Sequence, residues 1–161
     1  MPVYPRGTRR PLPDHRNSNT QHVTIGGRDV YLHVDEYEDG SPGEIWINMP
    51  KVGEVLQHML NQFAATVSLN LQFGVPLDVL VDQFVYVRFG PDGIVEGHAS
   101  IKICTSVVDF VSRYLGVTYL KREDLGHMSI PGFATEAPPK EALKPSTTVS
   151  PLHLAKKTDE T

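Results

Sequence analysis

The sequence predicts an α+β fold: a three-stranded antiparallel meander, four-stranded if a short run at 85–89 joins it, packed by about three helices. Three observations lead there. Two alternating apolar segments flank Gly26-Gly27, the apolar period lengthens from two to between three and four after Pro50, and prolines crowd both ends of the chain. The resulting division is a basic extended arm over 1–19, a folded domain over 20–127 and a disordered tail over 128–161.

The hairpin comes first. Gln21–Ile25 and Arg28–Val34 alternate apolar and polar residues, and glycine supplies the positive φ of a two-residue turn at no steric cost. That turn sets Val23 opposite Val30 and puts Ile25, Leu32 and Val34 on the same face. His22, Thr24, Tyr31, His33 and Asp35 look the other way. After the turn Glu38-Asp39-Gly40-Ser41-Pro42-Gly43, a third strand places Ile45, Ile47 and Met49 opposite in sense to Glu44, Trp46 and Asn48.

From Val52 the positions Val52, Leu56, Met59, Leu60, Phe63, Val67 and Leu71 define a long helix packed on the sheet, stopped at Gly74. Ala64, Ala65 and Ser68 on its flank allow a second helix to approach closely. Pro76 opens a shorter helix with Asp78 near its N-terminus and Leu77, Leu80, Val81 and Phe84 as its apolar stripe. Residues 85–89 fit a fourth strand, an extended link or the frayed end of that helix, the first two being preferred. Residues 90–97 read as a loop. Ser100 then caps a third helix, whose stripes Ile101, Cys104, Val108, Val111, Leu115 and Ile103, Val107, Phe110, Tyr114 make a face broad enough for a central position.

The ends differ from the body. Arg6, Arg9, Arg10 and Arg16 face only Asp14 in the arm, whereas residues 21–130 hold seven basic and fourteen acidic residues. Such a cluster is a possible anion-contacting arm, with a solubilising leader as the preferred reading. Beyond Met128 prolines interrupt a segment with few periodic apolar positions, too few to offset the entropy of ordering it.

With 40% apolar and 21% charged residues, the composition is that of an ordinary water-soluble domain. No apolar run reaches the roughly 20 residues of a membrane span, and the first residues lack the apolar core of a secretory signal. A cytoplasmic location is therefore expected, with no membrane partner. Cys104 is the single cysteine, which excludes an intrachain disulfide, a Cys-x-x-Cys pair and a cysteine-rich zinc site. Placed on an apolar helix stripe, it reads as a packing residue with an elevated pKa.

No catalytic residue and no metal ligand set is assigned. His22 and His33 share a hairpin face but lack a clear third ligand, and His58 and His98 stand alone in sequence. Asp35–Gly40 lacks the alternation of a calcium loop. Gly90, Gly93 and Gly97 fit neither a phosphate loop nor a dinucleotide fingerprint.

Arg9-Arg10-Pro11-Leu12-Pro13-Asp14, Gly43-Glu44-Ile45-Trp46-Ile47 and Thr105-Ser106-Val107-Val108-Asp109 carry a resemblance to a known family. Over residues 8–127 the chain resembles the TSCPD family, found as the C-terminal domain of long adenosylcobalamin (vitamin B12)-dependent ribonucleoside-diphosphate reductases. Here that domain is expected to stand alone. Thr105, Ser106 and Asp109 match the Thr-Ser-Cys-Pro-Asp signature, while Val107 and Val108 replace its Cys and Pro. Their role is open, and the bland reading makes them the solvated side of the third helix, with the missing proline fitting a helix that runs through.

The resemblance implies a partner, the large subunit of a cobalamin-dependent ribonucleotide reductase, which would carry the adenosylcobalamin. It implies no cofactor in this chain and a place in deoxyribonucleotide synthesis. Ribonucleotide reduction needs a thiyl-radical cysteine and a reducing pair, and the tail lacks the cysteines that relay electrons in such enzymes, so one cysteine leaves the chain non-catalytic by itself. The alternative is a non-enzymatic homo-oligomeric or nucleic-acid-associated protein that reuses the domain, nucleic acid being the less favoured partner.

Overall fold

A computed structural model describes residues 7–127. Its nine elements in chain order are β1 (Asn17–Ile25), β2 (Arg28–Glu36), β3 (Pro42–Asn48), α1 (Glu54–Gln72), α2 (Leu77–Phe84), β4 (Gly93–Glu96), β5 (Ile103–Cys104), α3 (Val107–Tyr119) and a 3-10 turn at Glu123–Leu125. The strands form an antiparallel sheet in the order β3-β2-β1-β4-β5.

The hairpin register is the expected one. Val23 pairs with Val30, and Val23, Ile25, Val30, Leu32, Val34, Ile45 and Ile47 are buried on one face. Gly26 and Gly27 have φ of 55° and 77°. Gly26 is required twice over, because a Cβ there would stand 2.6 Å from the Asp92 carbonyl oxygen. β1 opens at Asn17, within the stretch assigned to the arm, since Asn17 to Thr20 continue the ladder against His33 to Glu36.

The outer edge of β3 is sealed by α1. Ser68 Oγ accepts from Ile45 N at 2.9 Å, Gln57 accepts from Met49 N and donates to Ile47 O, both at 2.9 Å, and Gln72 donates to Gly43 O at 3.1 Å. Side chains of one helix thus satisfy the backbone groups that an edge strand otherwise offers to other chains. Leu60, Ala64 and Val67 bury the helix's inner face. Met59, assigned to that stripe from its spacing, points outward instead and is 64% exposed, with Leu60 taking the core position.

Three readings between 85 and 109 are corrected. Residues 85–89 form a turn and link, with Tyr86 at φ 68°, and no strand. The loop assigned to 90–97 contains β4, which pairs Thr24 with Glu96 and Ile25 with Val95. The four residues Gly93–Glu96 carry no period to read, and their stability comes from a partner about seventy residues away in sequence.

The third correction moves the start of α3 from Ile101 to Val107. Ser106, not Ser100, is its N-cap, and Ile103 and Cys104 form β5. Ile101 and Cys104 are buried as the stripe required, but ahead of the helix, while Ile103 is 51% exposed. Val107 and Val108 are therefore the first two helical residues. A proline at 108 would sacrifice no interior hydrogen bond there, so its absence says nothing about helix continuity.

α3 lies at the centre, buried without interruption from Val107 to Gly116. The sheet covers one side and α2 packs on another. A Cβ on Gly116 would collide with Leu125 Cδ1 at 2.5 Å, so the 3-10 turn sits directly against the helix backbone.

Candidate functional site

The Thr-Ser-x-x-Asp positions converge at the N-terminus of α3. Ser106 has extended backbone, and its Oγ accepts from Asp109 N at 2.9 Å, as an N-cap residue does. Asp109 reaches back with Oδ2 to accept from Thr105 N at 2.9 Å, a reciprocal arrangement like a capping box displaced by one residue.

The same side chains hold a distant loop. Val87 O accepts from Thr105 Oγ1 at 2.9 Å and from Ser106 Oγ at 2.7 Å, Phe89 N donates to Thr105 O at 3.2 Å, and Tyr86 N donates to Asp109 Oδ1 at 2.6 Å. Tyr86 occupies the left-handed region, sparsely populated by residues other than glycine, and the Asp109 bond helps to hold it there.

Asp109 is fully buried, and Arg113 one turn on donates to both its oxygens at 3.0 Å. Arg113 also donates to Leu125 O at 3.0 Å, and its guanidinium lies 4.9 Å from the centre of the Tyr86 ring. Every polar side-chain atom buried among the described residues has a partner. The arrangement meets the condition under which a buried ion pair is tolerated, namely that each charge is matched by donors or acceptors.

Chemically this is an anchoring device. The carboxylate is occupied by three N–H groups and closed to solvent, so it fixes chain geometry and offers no accessible base. Its outward product is an exposed strip, Tyr86, Val87 and Arg88, beside a shallow depression of about 240 Å³ lined by Arg88, Phe89, Gly90, Asp92 and Thr105. The reading of Thr105, Ser106 and Asp109 as the solvated side of the helix is thus corrected for Ser106 and Asp109, which are buried. The Thr105-Ser106-x-x-Asp109 pattern and the Asp109–Arg113 spacing of four are the local signals, whereas Tyr86 and Val87 leave no trace in sequence.

Cys104 is buried next to this anchor. Burial, with a smaller contribution from the Asp109 charge, pushes its thiol up to about 12. At neutral pH it is a thiol, the unreactive form.

The arm residues lie against the body. Arg9 donates to Gln72 Oε1 at 2.9 Å, and Arg10 covers the Tyr37 ring at 4.0 Å and pairs with Asp39 at 3.5 Å. Arg16 bridges Asp35 at 2.7 Å and Glu44 at 2.9 Å, which raises its pKa chiefly through the Asp35 bond. Arg6 lies outside the described residues, as does the tail over 128–161.

The histidines are dispersed. His22 stacks on Tyr31 and meets Asp29 at 2.9 Å, while His33 bonds Thr20 at 2.8 Å. His98, left without a role by the sequence, accepts from Ile101 N at 3.0 Å through Nδ1 and packs edge-on to Phe110 and Tyr114. Burial lowers its pKa. No group of three or more His, Cys, Asp or Glu side chains among the described residues is placed to hold a metal ion, and no described helix is long and apolar enough to cross a membrane.

Residues 3–119 match the TSCPD domain family. The chain belongs to that family. It is 50% identical over 120 residues, 74% of its length, to a vitamin B12-dependent ribonucleotide reductase of Bradyrhizobium diazoefficiens. It is 45% identical over 129 residues, 80% of its length, to one of Agrobacterium fabrum, and 41% identical over 119 residues, 72% of its length, to one of Rhodopirellula baltica. The chain spans only 10%, 10% and 11% of these relatives' lengths, in that order. No solved structure matches it.

Proposed function

We propose that this TSCPD chain serves a cobalamin-dependent ribonucleotide reductase as a non-catalytic accessory domain, acting through contact with the large subunit. The observation that carries this reading is identity of up to 50% to a tenth of such a reductase. A single cysteine, buried and with its thiol pushed up to about 12, supports the absence of radical or dithiol chemistry in the chain itself. Adenosylcobalamin then belongs to the partner, and the process served is deoxyribonucleotide synthesis in the cytoplasm.

The strip Tyr86–Arg88 is the contact element of this proposal. Thr105, Ser106 and Asp109 act by positioning it, which accounts for a signature that is largely inaccessible. Exposed aromatic and arginine side chains on a fixed backbone are what interface centres favour. The nucleic-acid alternative draws less support, because Arg9, Arg10 and Arg16 are each engaged with Gln72, Tyr37, Asp39, Asp35 or Glu44.

Copurification with the large subunit and steady-state turnover of that subunit, with and without this chain, test the reading. Association and altered turnover are expected, both lost in Tyr86→Ser/Arg88→Glu while circular dichroism shows the chain still folded. No association and no effect on turnover at micromolar concentration would sink the proposal. Association that survives the double substitution would move the contact elsewhere.

A further inference from the structure

The outer face of α1 is unlike that of an ordinary surface helix. Of its nineteen residues Glu54 is the only Asp, Glu, Lys or Arg, and no basic residue lies in the last turn. Helices facing water normally carry charges on that side, and depletion of charge marks the centre of an interface.

The exposed residues also keep a register. Val55, Met59, Gln62, Thr66, Leu69 and, at the C-cap, Phe73 follow one another at alternating steps of four and three, the spacing of a coiled-coil seam. All six are exposed, Val55 at 78% and Met59 at 64%.

This seam is its own complement when reversed. Val55 and Phe73 are equally far from residue 64, and so are Met59 and Leu69, and Gln62 and Thr66. A second copy laid antiparallel with its centre over residue 64 therefore sets apolar residues on apolar ones at both ends and the polar pair on itself in the middle. A two-fold axis requires that kind of match, since residue i must meet j while j meets i.

The charges at the ends agree with the same arrangement. Glu54 lies at the N-terminal end of α1, and Arg9 is held at the C-terminal end by Gln72, on the same flank of the helix. In an antiparallel two-fold pair like flanks adjoin, so each Glu54 comes beside the other copy's Arg9. A depression of about 270 Å³ continues the surface from Leu69 and Ala65 toward Trp46, itself 55% exposed.

We infer that this face of α1 pairs with a second copy of the chain as an antiparallel, two-fold helix contact centred at residue 64. The occupant is a copy because the pattern is symmetric about that point, a property that an unrelated partner would not require.

Sedimentation velocity on the full chain, from low to high micromolar concentration, gives a dimer, and Met59→Glu or Leu69→Glu shifts it to a monomer with unchanged circular dichroism. Both side chains stand in solvent in the single chain, so loss of folding does not confound the result. Mixing Met59→Cys chains with Leu69→Cys chains under mild oxidation yields the mixed disulfide dimer well in excess of either self-dimer, Cys104 being buried. Glu54→Arg weakens the dimer, and Arg9→Glu in the same chain restores it. An unaltered chain that stays monomeric throughout, glutamate variants that stay dimeric, or self-dimers that equal the mixed product would each overturn the inference.

Discussion

From Val107 to Gly116 helix α3 has no exposed residue, whereas α1, the longer helix, gives an entire face to solvent. Both use polar side chains to reach backbone, but with different purposes. In α1 neutral groups, Gln57, Ser68 and Gln72, close the edge of the neighbouring strand. In α3 a charged pair, Asp109 and Arg113, ties the helix to Tyr86 and Leu125. The difference teaches where sequence change is tolerated: α3 is fixed on every side, and α1 only on the side that seals β3.

Asp109→Ala is the strongest way to break this comparison from the α3 side. It leaves Arg113 buried without its carboxylate and removes the acceptor for Tyr86 N and Thr105 N, a loss on the order of 3–5 kcal/mol. Urea unfolding measures it. Asp109→Leu with Arg113→Met recovers only part, because the two backbone donors remain unpaired. A change of a few tenths of a kcal/mol in the single variant would return Asp109 to the solvated role first read from the sequence.

Ser106→Ala sharpens the same point at smaller scale. The cap bond to Asp109 N and the bond to Val87 O are both lost, for about 1–2 kcal/mol. Ser100→Ala, at the position first expected to cap the helix, should cost less. A comparison of the two denaturation midpoints decides between the two helix starts.

The legible parts of the fold were those whose signal is local. Gly26-Gly27 fixed the hairpin register, and the change of period marked α1, because each rests on neighbours within one or two turns of chain. β4 and β5 carry four and two residues and exist through pairing with β1 and each other, so no window over them alone shows a strand. The start of α3 was obscured for a related reason. Buried Ile101, ahead of β5, and Cys104 on it fall in phase with the stripe of the helix that follows, and an apolar period outweighed the Ser106-x-x-Asp109 cap pattern that marked the boundary.

The site was harder to read than the fold. Asp109 and Arg113 at a spacing of four look like an exposed helix pair, and only the tertiary structure reveals that Leu125 of the 3-10 turn and the loop at Tyr86 close over them. Sequence marked the anchor residues and missed what they anchor. On α1 the reverse holds: the seam is present as spacing, yet the three-residue step from Leu56 assigns Met59 to the core stripe, where Leu60 lies instead.

The packing around α3 should also make stability depend on pH. His98 and His127 are both held below the ordinary imidazole value, chiefly by burial, and the Nδ1 atoms accept backbone N–H groups of Ile101 and Lys102 respectively. The unfolded chain thus binds protons more readily than the folded one. Their contribution is complete above the unfolded value of about 6.5 and is lost as pH falls through the depressed folded values. Urea midpoints between neutral and mildly acidic pH should fall. His98→Asn, which keeps an acceptor without titrating, should make the fall shallower, and the further change His127→Asn shallower still.

The smallest expected effect lies on α1, where Met59 and Leu60 are adjacent in sequence and opposite in surroundings. Leu60 is 1% exposed, and Leu60→Ala should cost about 2–5 kcal/mol through lost burial and the cavity left behind. Met59→Ala should stay within about 0.5 kcal/mol when measured on dilute, monomeric protein, since the side chain gives up little that water does not replace. At high protein concentration the same substitution should lower the thermal midpoint, because association of folded chains adds to apparent stability and Met59 belongs to the associating seam. A midpoint that depends on concentration in the unaltered chain and not in Met59→Ala would separate the two faces of one helix. A large loss in dilute solution would instead place Met59 in the core of the single chain, and the contrast between α1 and α3 would fail.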